Sequence, residues 1–399
     1  MSKILLKKSK TNKKLLSRHL SLIGLILGHF TVDWYSGILK PLLPQIMQIF
    51  SLTAGQTALI PSVLGILTAF FQPFSAAFGE RFGEKFIVIF SIMLSAVFIP
   101  LIGISKSLII FLLFLSIGMI GNSMFHPNAA SLVGDLGFEK SHTVMSIFSI
   151  GGTIGSGLAP VVIIVFVNKF GFAKMPVLSV AGVVLSIAIA IMIFSGRDKQ
   201  KQKKEIIFNF KSLFAKNGIF PLLLVNVLRS LSIIGFSTLI PLYLTAIGYS
   251  PIWGSYFLTS SRFSGAIGTY LGAALSDRIG PKAVNKISLL FGTLFGIAFF
   301  VFGNIYLMLT AFFFAFLFWF FTMGANVTYM QTLIPEKKGM ASSLSMGISW
   351  GAASVILSVL SAFIDVIGLK MVFYIVFAAS PVAFLLSFNL FEPKKQHYN

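Results

Sequence analysis

Cysteine is absent from this chain, which excludes disulfide scaffolds, cysteine zinc clusters and thiol catalysis and leaves the redox compartment open. Acidic residues are scarce as well: 11 Asp and Glu stand against 31 Lys and Arg in 399 residues, for a net charge of +20. Charged residues of both signs reach only 11%, too few to cover a water-facing surface, which disfavours a soluble enzyme. What is present is apolar. A hydrophobic share of 56%, 44 Phe and a mean hydropathy of +0.92 mark a membrane protein. The excess of positive charge points either to nucleic acid or to membrane topology, and its distribution along the chain decides between them.

A bilayer core of roughly 30 Å takes about 20 helical residues. Apolar windows of that length, bounded by charge, Pro or Gly, predict twelve spans: Leu20–Leu39, Thr57–Phe78, Phe86–Ile104, Leu108–Leu132, Val144–Val167, Pro176–Phe194, Gly218–Ile247, Ile252–Leu275, Ile287–Phe302, Tyr306–Gln331, Ala341–Ile364 and Met371–Phe391. The basic stretch Met1–His19 precedes an apolar run too long for a signal peptide and without an A-x-A exit, so it leads into an uncleaved first span. With both termini in the cytoplasm, 24 Lys or Arg fall inside and five outside, namely Lys40, Lys106, Lys169, Lys174 and Lys370. Arg229 and Arg262 lie within spans. The positive-inside rule thus accounts for the charge without nucleic acid.

The longest polar interruption, residues 195–217, separates two halves that match at a constant offset of 197 residues. Leu43-Pro44 falls on Ile240-Pro241, and the stretch from Ala76 to Lys85, with Glu80-Arg81-Phe82-Gly83, falls on Ala273 to Lys282, with Asp277-Arg278-Ile279-Gly280. The expected domains are therefore a six-helix bundle over 1–194, a basic linker over 195–217 and a second six-helix bundle over 218–399. In the linker, Ile206, Ile207, Phe210, Leu213 and Phe214 have the spacing of an amphipathic helix lying on the inner leaflet.

The duplicated acid-Arg-x-Gly-x-Lys loops resemble the cytoplasmic signature of the major facilitator superfamily. Three further motifs resemble its fosmidomycin resistance protein family: Gly28-His29-Phe30-Thr31-Val32-Asp33, Phe125-His126-Pro127, and Ser146-Ile147-Phe148-Ser149-Ile150-Gly151-Gly152. The resemblance implies an all-α membrane protein, twelve transmembrane helices in two pseudo-symmetric six-helix bundles, and proton-coupled efflux of a small phosphonate or other toxic compound. Gly155-Ser156-Gly157-Leu158-Ala159-Pro160 resembles the antiporter signature of drug exporters, with Ala159 where Gly is usual.

Ionisable groups inside spans are costly and mark pathways. Asp33 is the only carboxylate well inside a predicted span, and His29 sits one turn before it on the same face; both are candidates for proton coupling. At 1.5 Å per residue, Asp33, Arg229 and Arg262 lie about 16 to 20 Å from the cytosolic ends of their spans, near one layer. By resemblance, spans 1 and 7 line the central cavity. Two arginines against one carboxylate favour an anionic or amphoteric substrate. Substrate-binding candidates are Arg229, Arg262, Asn226, His126, Tyr35, Trp319, Asn326 and Tyr329, with Trp34 and Trp350 as further aromatic lining; a fixed Asp33–Arg229 ion pair, a hinge at His126-Pro127 and ordinary aromatic packing are the competing structural readings. Glu80, Arg81, Asp277 and Arg278 sit at the cytosolic edge and suit a gate, with Glu80 facing the start of span 11. Gly151, Gly152, Gly155 and Gly157 suit close helix packing.

The expected function is a monomeric secondary transporter of the inner membrane, working by alternating access, with protons and a small anionic or amphoteric molecule as its partners. No cofactor, metal or nucleic acid is expected. Proton-coupled uptake of an organic anion is the competing direction, and a non-transporting scaffold or receptor the competing class. The chain shows no Walker-type Gly-x-x-x-x-Gly-Lys-Ser/Thr segment and no nucleophile or metal-ligand cluster.

Overall fold

The computed structural model describes residues 2–138, 141–194, 218–335 and 338–391. No strand occurs among them. Helix is the form that satisfies every backbone N–H and C=O within one segment where lipid offers no partner. The expected linker and its amphipathic segment lie outside the described residues.

The first half runs through α1 (Ser2–Gly37), α2 (Leu43–Ile49), α3 (Ala54–Phe82), α4 (Glu84–Leu101), α5 (Leu108–Asp135), α6 (Ser141–Phe170) and α7 (Val177–Phe194). The second runs through α8 (Ile219–Ala246), α9 (Pro251–Ile279), α10 (Pro281–Val301), α11 (Ile305–Phe320), α12 (Thr322–Leu333), α13 (Lys338–Ser343), α14 (Ser349–Ala362), α15 (Ile364–Ile367) and α16 (Leu369–Ser387). Between α13 and α14 one π-helical turn, Leu344–Ile348, interrupts the eleventh predicted span. Among the described residues eleven segments are long and apolar enough to cross a bilayer. The remaining predicted span is α9, a helix of 29 residues diluted by Thr259, Ser260, Ser261, Arg262 and Ser264.

The repeat is visible in the backbone. Gly83 and Gly280, 197 residues apart, turn the chain between helices at φ 93° and 86°, a region that a Cβ disfavours. Ser107 caps α5 by accepting from the Ile110 N–H, and Asn304, again 197 residues on, caps α11 by accepting from the Tyr306 and Leu307 N–H groups.

α1 ends at Gly37, close to the expected end of span 1, and a 3₁₀ turn, Lys40–Leu42, leads directly into α2, so the apolar segment extends from Leu15 to Ile49. Pro41 removes a backbone donor without ending the helical course, and Lys40 Nζ donates to Ser237 Oγ at 2.6 Å.

The described residues form two compact units. The first holds residues up to 38 and 70–194; the second holds 39–69 and 218–391. Residues 39–69 of the expected first bundle thus pack with the second unit. Leu25, Val32, Ile92, Phe125 and Ile189 centre a core cluster of the first, and Leu222, Val225, Leu289, Tyr329 and Met330 one of the second.

Candidate functional site

In the first unit α1 and α6 are pressed together by missing side chains. A Cβ added at Gly151 would strike the Ile26 carbonyl, and one at Gly155 the Phe30 carbonyl. Small residues allow this approach of backbones within a membrane. At Gly152 the consequence is chemical: a Cβ there would run into His29 Nε2 and Asp33 Oδ2, so the glycine leaves the space that these two side chains fill.

His29 is stacked on Phe148, ring centroids 4.3 Å apart, and its Nδ1 lies 2.9 Å from the Phe148 carbonyl oxygen. A carbonyl can only accept, so Nδ1 carries the hydrogen and Nε2 of the neutral ring is left with a lone pair. That lone pair faces Asp33 Oδ2 at 3.4 Å. The other oxygen, Oδ1, lies 3.4 Å from His126 Nε2 and accepts from Asn122 Nδ2 at 3.4 Å. An ionised carboxylate and an imidazole lone pair repel at this distance, and one added proton turns the repulsion into a charge-assisted contact. Among the described residues His29, Asp33 and His126 are also the group whose ligand atoms, within 4.8 Å of one another, lie close enough to hold a metal ion.

The two proton-coupling candidates are thus brought together, and His126, expected on the substrate side, joins them. Asn122 was missed. Its signal was available, because Asn122 and His126 are four residues apart on α5 and share a face just as His29 and Asp33 do on α1.

The second unit holds the other candidates. Arg229 is 1% exposed; its guanidinium donates to Thr322 Oγ1 at 2.8 Å and reaches Met323 Sδ at 3.9 Å, while Nε is buried with no hydrogen-bond partner. Asn226 and Asn326 belong with Asn285 to a buried amide cluster: Asn326 Nδ2 donates to Asn226 Oδ1 at 2.6 Å and to Asn285 Oδ1 at 3.0 Å, and Asn226 passes its own donor to Ser345. Trp319 is fully buried with its indole N–H on Ser380 Oγ, and Tyr329 donates to the Phe391 carbonyl. In the first unit Tyr35 likewise donates to the Leu178 carbonyl. Apart from Arg229 Nε, each of these polar atoms is engaged with a partner far along the chain. Arg262 is exposed and lines a small cavity with Lys40 and Trp350. Glu80, Arg81, Asp277 and Arg278 are exposed, and among the described residues none makes a side-chain hydrogen bond or ion pair. Arg81 lies over the ring of Phe82.

A multi-pass helical fold repeated in two halves, with a partly buried titratable cluster within a span, is the build of a membrane transport protein. The profile of the Major Facilitator Superfamily matches residues 25–358, and the chain belongs to that superfamily. It is similar to the fosmidomycin resistance protein of Escherichia coli (strain K12), 23% identical over 93% of this chain and 92% of the relative. It is also similar to the uncharacterised transporter YfnC of Bacillus subtilis (strain 168), 25% identical over 94% and 93%. Among solved structures, a bacterial homologue of the human lysosomal transporter Spinster, inward-facing and unoccupied, shares the fold with a TM-score of 0.73 at 16% identity, covering 94% of this chain and 98% of that one.

Proposed function

We propose that this transporter is a proton-driven exporter of small anionic or amphoteric toxic compounds, exchanging them for protons by alternating access. It lies in the inner membrane with both termini cytoplasmic, acts as a monomer, and catalyses no chemical reaction. The observation that carries this reading is the placement of His29, whose Nδ1 lies 2.9 Å from the Phe148 carbonyl oxygen and whose Nε2 lies 3.4 Å from Asp33 Oδ2, so that a proton held by the pair lies between imidazole and carboxylate. Asp33 carries that proton, and His29 and His126 share it. Export is supported by the relative named for fosmidomycin resistance, and the orientation by the excess of Lys and Arg in the segments assigned to the cytoplasm. In this reading Asn226, Asn326, Trp319, Tyr329 and Tyr35 are framework, and Glu80, Arg81, Asp277 and Arg278 form a cytosolic gate.

The test is reconstitution into liposomes with a compound chosen by a susceptibility screen of cells with and without the protein. An imposed pH step should drive the compound uphill, opposite to the proton flow. Movement in the same direction as the protons would identify uptake by symport instead.

A further inference from the structure

We propose that His29, His126 and Asp33 form a binding site for a single divalent transition-metal ion of the zinc class. Their ligand atoms, one from each residue, all lie within 4.8 Å of one another. His29 Nε2 stands 3.4 Å from Asp33 Oδ2, and His126 Nε2 stands 3.4 Å from Asp33 Oδ1. Zinc bonds of about 2.0–2.1 Å to nitrogen and oxygen, at tetrahedral angles, set neighbouring ligand atoms about 3.4 Å apart. The carboxylate is thus spaced from each ring as two ligands of one ion are. Sequence spacing predicts no metal-ligand cluster, because only the packing of α5 beside α1 brings His126 to the pair on α1. All three residues belong to the first compact unit, so the protein ligands come from one body.

The groups behind the ligands support the assignment. A ligating histidine characteristically gives its other ring nitrogen to a carbonyl or carboxylate, which fixes the ring and turns the remaining lone pair to the metal. His29 has this arrangement: Nδ1 lies 2.9 Å from the Phe148 carbonyl oxygen, and the ring is stacked on Phe148 with centroids 4.3 Å apart. Ligating carboxylates are in turn held by hydrogen bonds, and Asn122 Nδ2 donates to Asp33 Oδ1 at 3.4 Å. A carboxylate offers about four lone-pair positions, so it accepts donors and coordinates at once. Side-chain exposure rises from 11% at His29 to 34% at His126, which gives an ion a way in and a water its place as fourth ligand. The donor set selects the ion. Two imidazole nitrogens with a carboxylate suit Zn²⁺, Co²⁺ or Ni²⁺, whereas Mg²⁺ and Ca²⁺ take oxygen ligands. A proton and a metal ion compete for the same lone pairs, so the site holds one or the other. That competition bears on coupling only through the proton-driven reading; the site itself follows from the geometry and is independent of the direction and driver of transport.

Calorimetric titration of Zn²⁺ tests the site, using the full chain purified without a polyhistidine tag, stripped with chelator and held in nanodiscs at one pH without a gradient. One ion should bind per chain, and X-ray absorption at the zinc edge should show two imidazoles among bonds of about 2.0–2.1 Å. Asp33→Asn, His29→Gln and His126→Gln should each raise Kd at least about tenfold, and Asn122→Ala, which only orients the carboxylate, less. His19→Gln, outside the cluster, should leave Kd unchanged, and Mg²⁺ in about hundredfold excess should not displace the ion. Absence of stoichiometric binding, an unchanged Kd in any of the three ligand variants, or displacement by Mg²⁺ would overturn the proposal. Should a variant fail to fold, the wild-type chain still decides: saturating Zn²⁺ should slow modification of His126 by diethyl pyrocarbonate several-fold, read by mass spectrometry, and unchanged labelling there shows an adventitious ion elsewhere and counts against the site. Because neither gradient nor substrate is involved, absence of zinc binding leaves the proton-driven reading standing, and a failed pH-step experiment leaves the metal site standing.

Discussion

A carboxylate between two imidazoles is a small device with a definite consequence for each of its parts. Asp33→Asn keeps the shape and the contact with Asn122 but cannot titrate. Uphill, proton-driven movement should then be lost while exchange of substrate across a membrane at equal pH persists in part; full uphill transport by the variant in liposomes would remove Asp33 as the carrier. His29→Gln tests the tautomer argument, since glutamine can still donate to Phe148 but has no basic nitrogen to share a proton with Asp33. Its signature is a shift in the pH dependence of transport, with exchange at equal pH retained. Arg229 calls for a different experiment. A guanidinium that is 1% exposed, with Nε unpartnered, is replaced at little cost by an apolar side chain of similar length. Arg229→Met should therefore keep a melting temperature near that of the wild type, and transport by this folded variant separates a substrate role from a structural one: a loss confined to anionic compounds assigns Arg229 to the substrate, and an equal loss for neutral ones does not.

Helix pairs carry the next level of the design. The contact of α6 on α1 depends on Gly151, Gly152 and Gly155, yet the three differ in what lies opposite. Gly155 faces backbone at Phe30 and Gly152 faces His29 and Asp33. An added methyl at Gly155 has only a carbonyl to push against, and overpacking of this kind costs about 1–3 kcal/mol, so Gly155→Ala should lower the melting temperature in detergent. Gly152→Ala should do something more selective, displacing His29 from Asp33 and uncoupling transport from pH in protein that still folds; if both variants lose only stability, the glycines serve packing alone. This level also shows what the sequence could tell and what it could not. The spans were legible because a run of about 20 apolar residues has few other uses, and the loops at Gly83 and Gly280 because the same residues recur at one offset. His29 and Asp33 were legible as neighbours because helical spacing settles it within one element. The association of His126 and Asn122 with them was not, since it depends on how α5 packs beside α1, and the amide cluster of Asn226, Asn285 and Asn326 joins three helices that the sequence keeps far apart. The contact of Lys40 with Ser237 was not legible either, since it depends on residues 39–69 packing with the second unit.

At the scale of the whole molecule, the two duplicated loops pose a question that neither half answers alone. Glu80-Arg81 and Asp277-Arg278 occupy the same place in the two copies and are followed by glycines with the same positive φ, yet among the described residues all four charged side chains lack ion-pair partners. Charged side chains without ion-pair partners here that recur at the repeat offset are accounted for if they act in another conformation, which the proposed alternating access requires. Glu80→Gln should therefore leave the stability of the present conformation unchanged and weaken the other, lowering turnover while substrate affinity from the cytosolic side is retained. Spin labels on the cytosolic ends of α3 and α9 would read this directly. In the wild type, substrate and pH should move the distance distribution between two populations, and the variant should hold the longer one under conditions that shift the wild type to the shorter. A variant with the wild-type distribution and normal turnover would show that Glu80 is a solvated surface charge and no part of a gate.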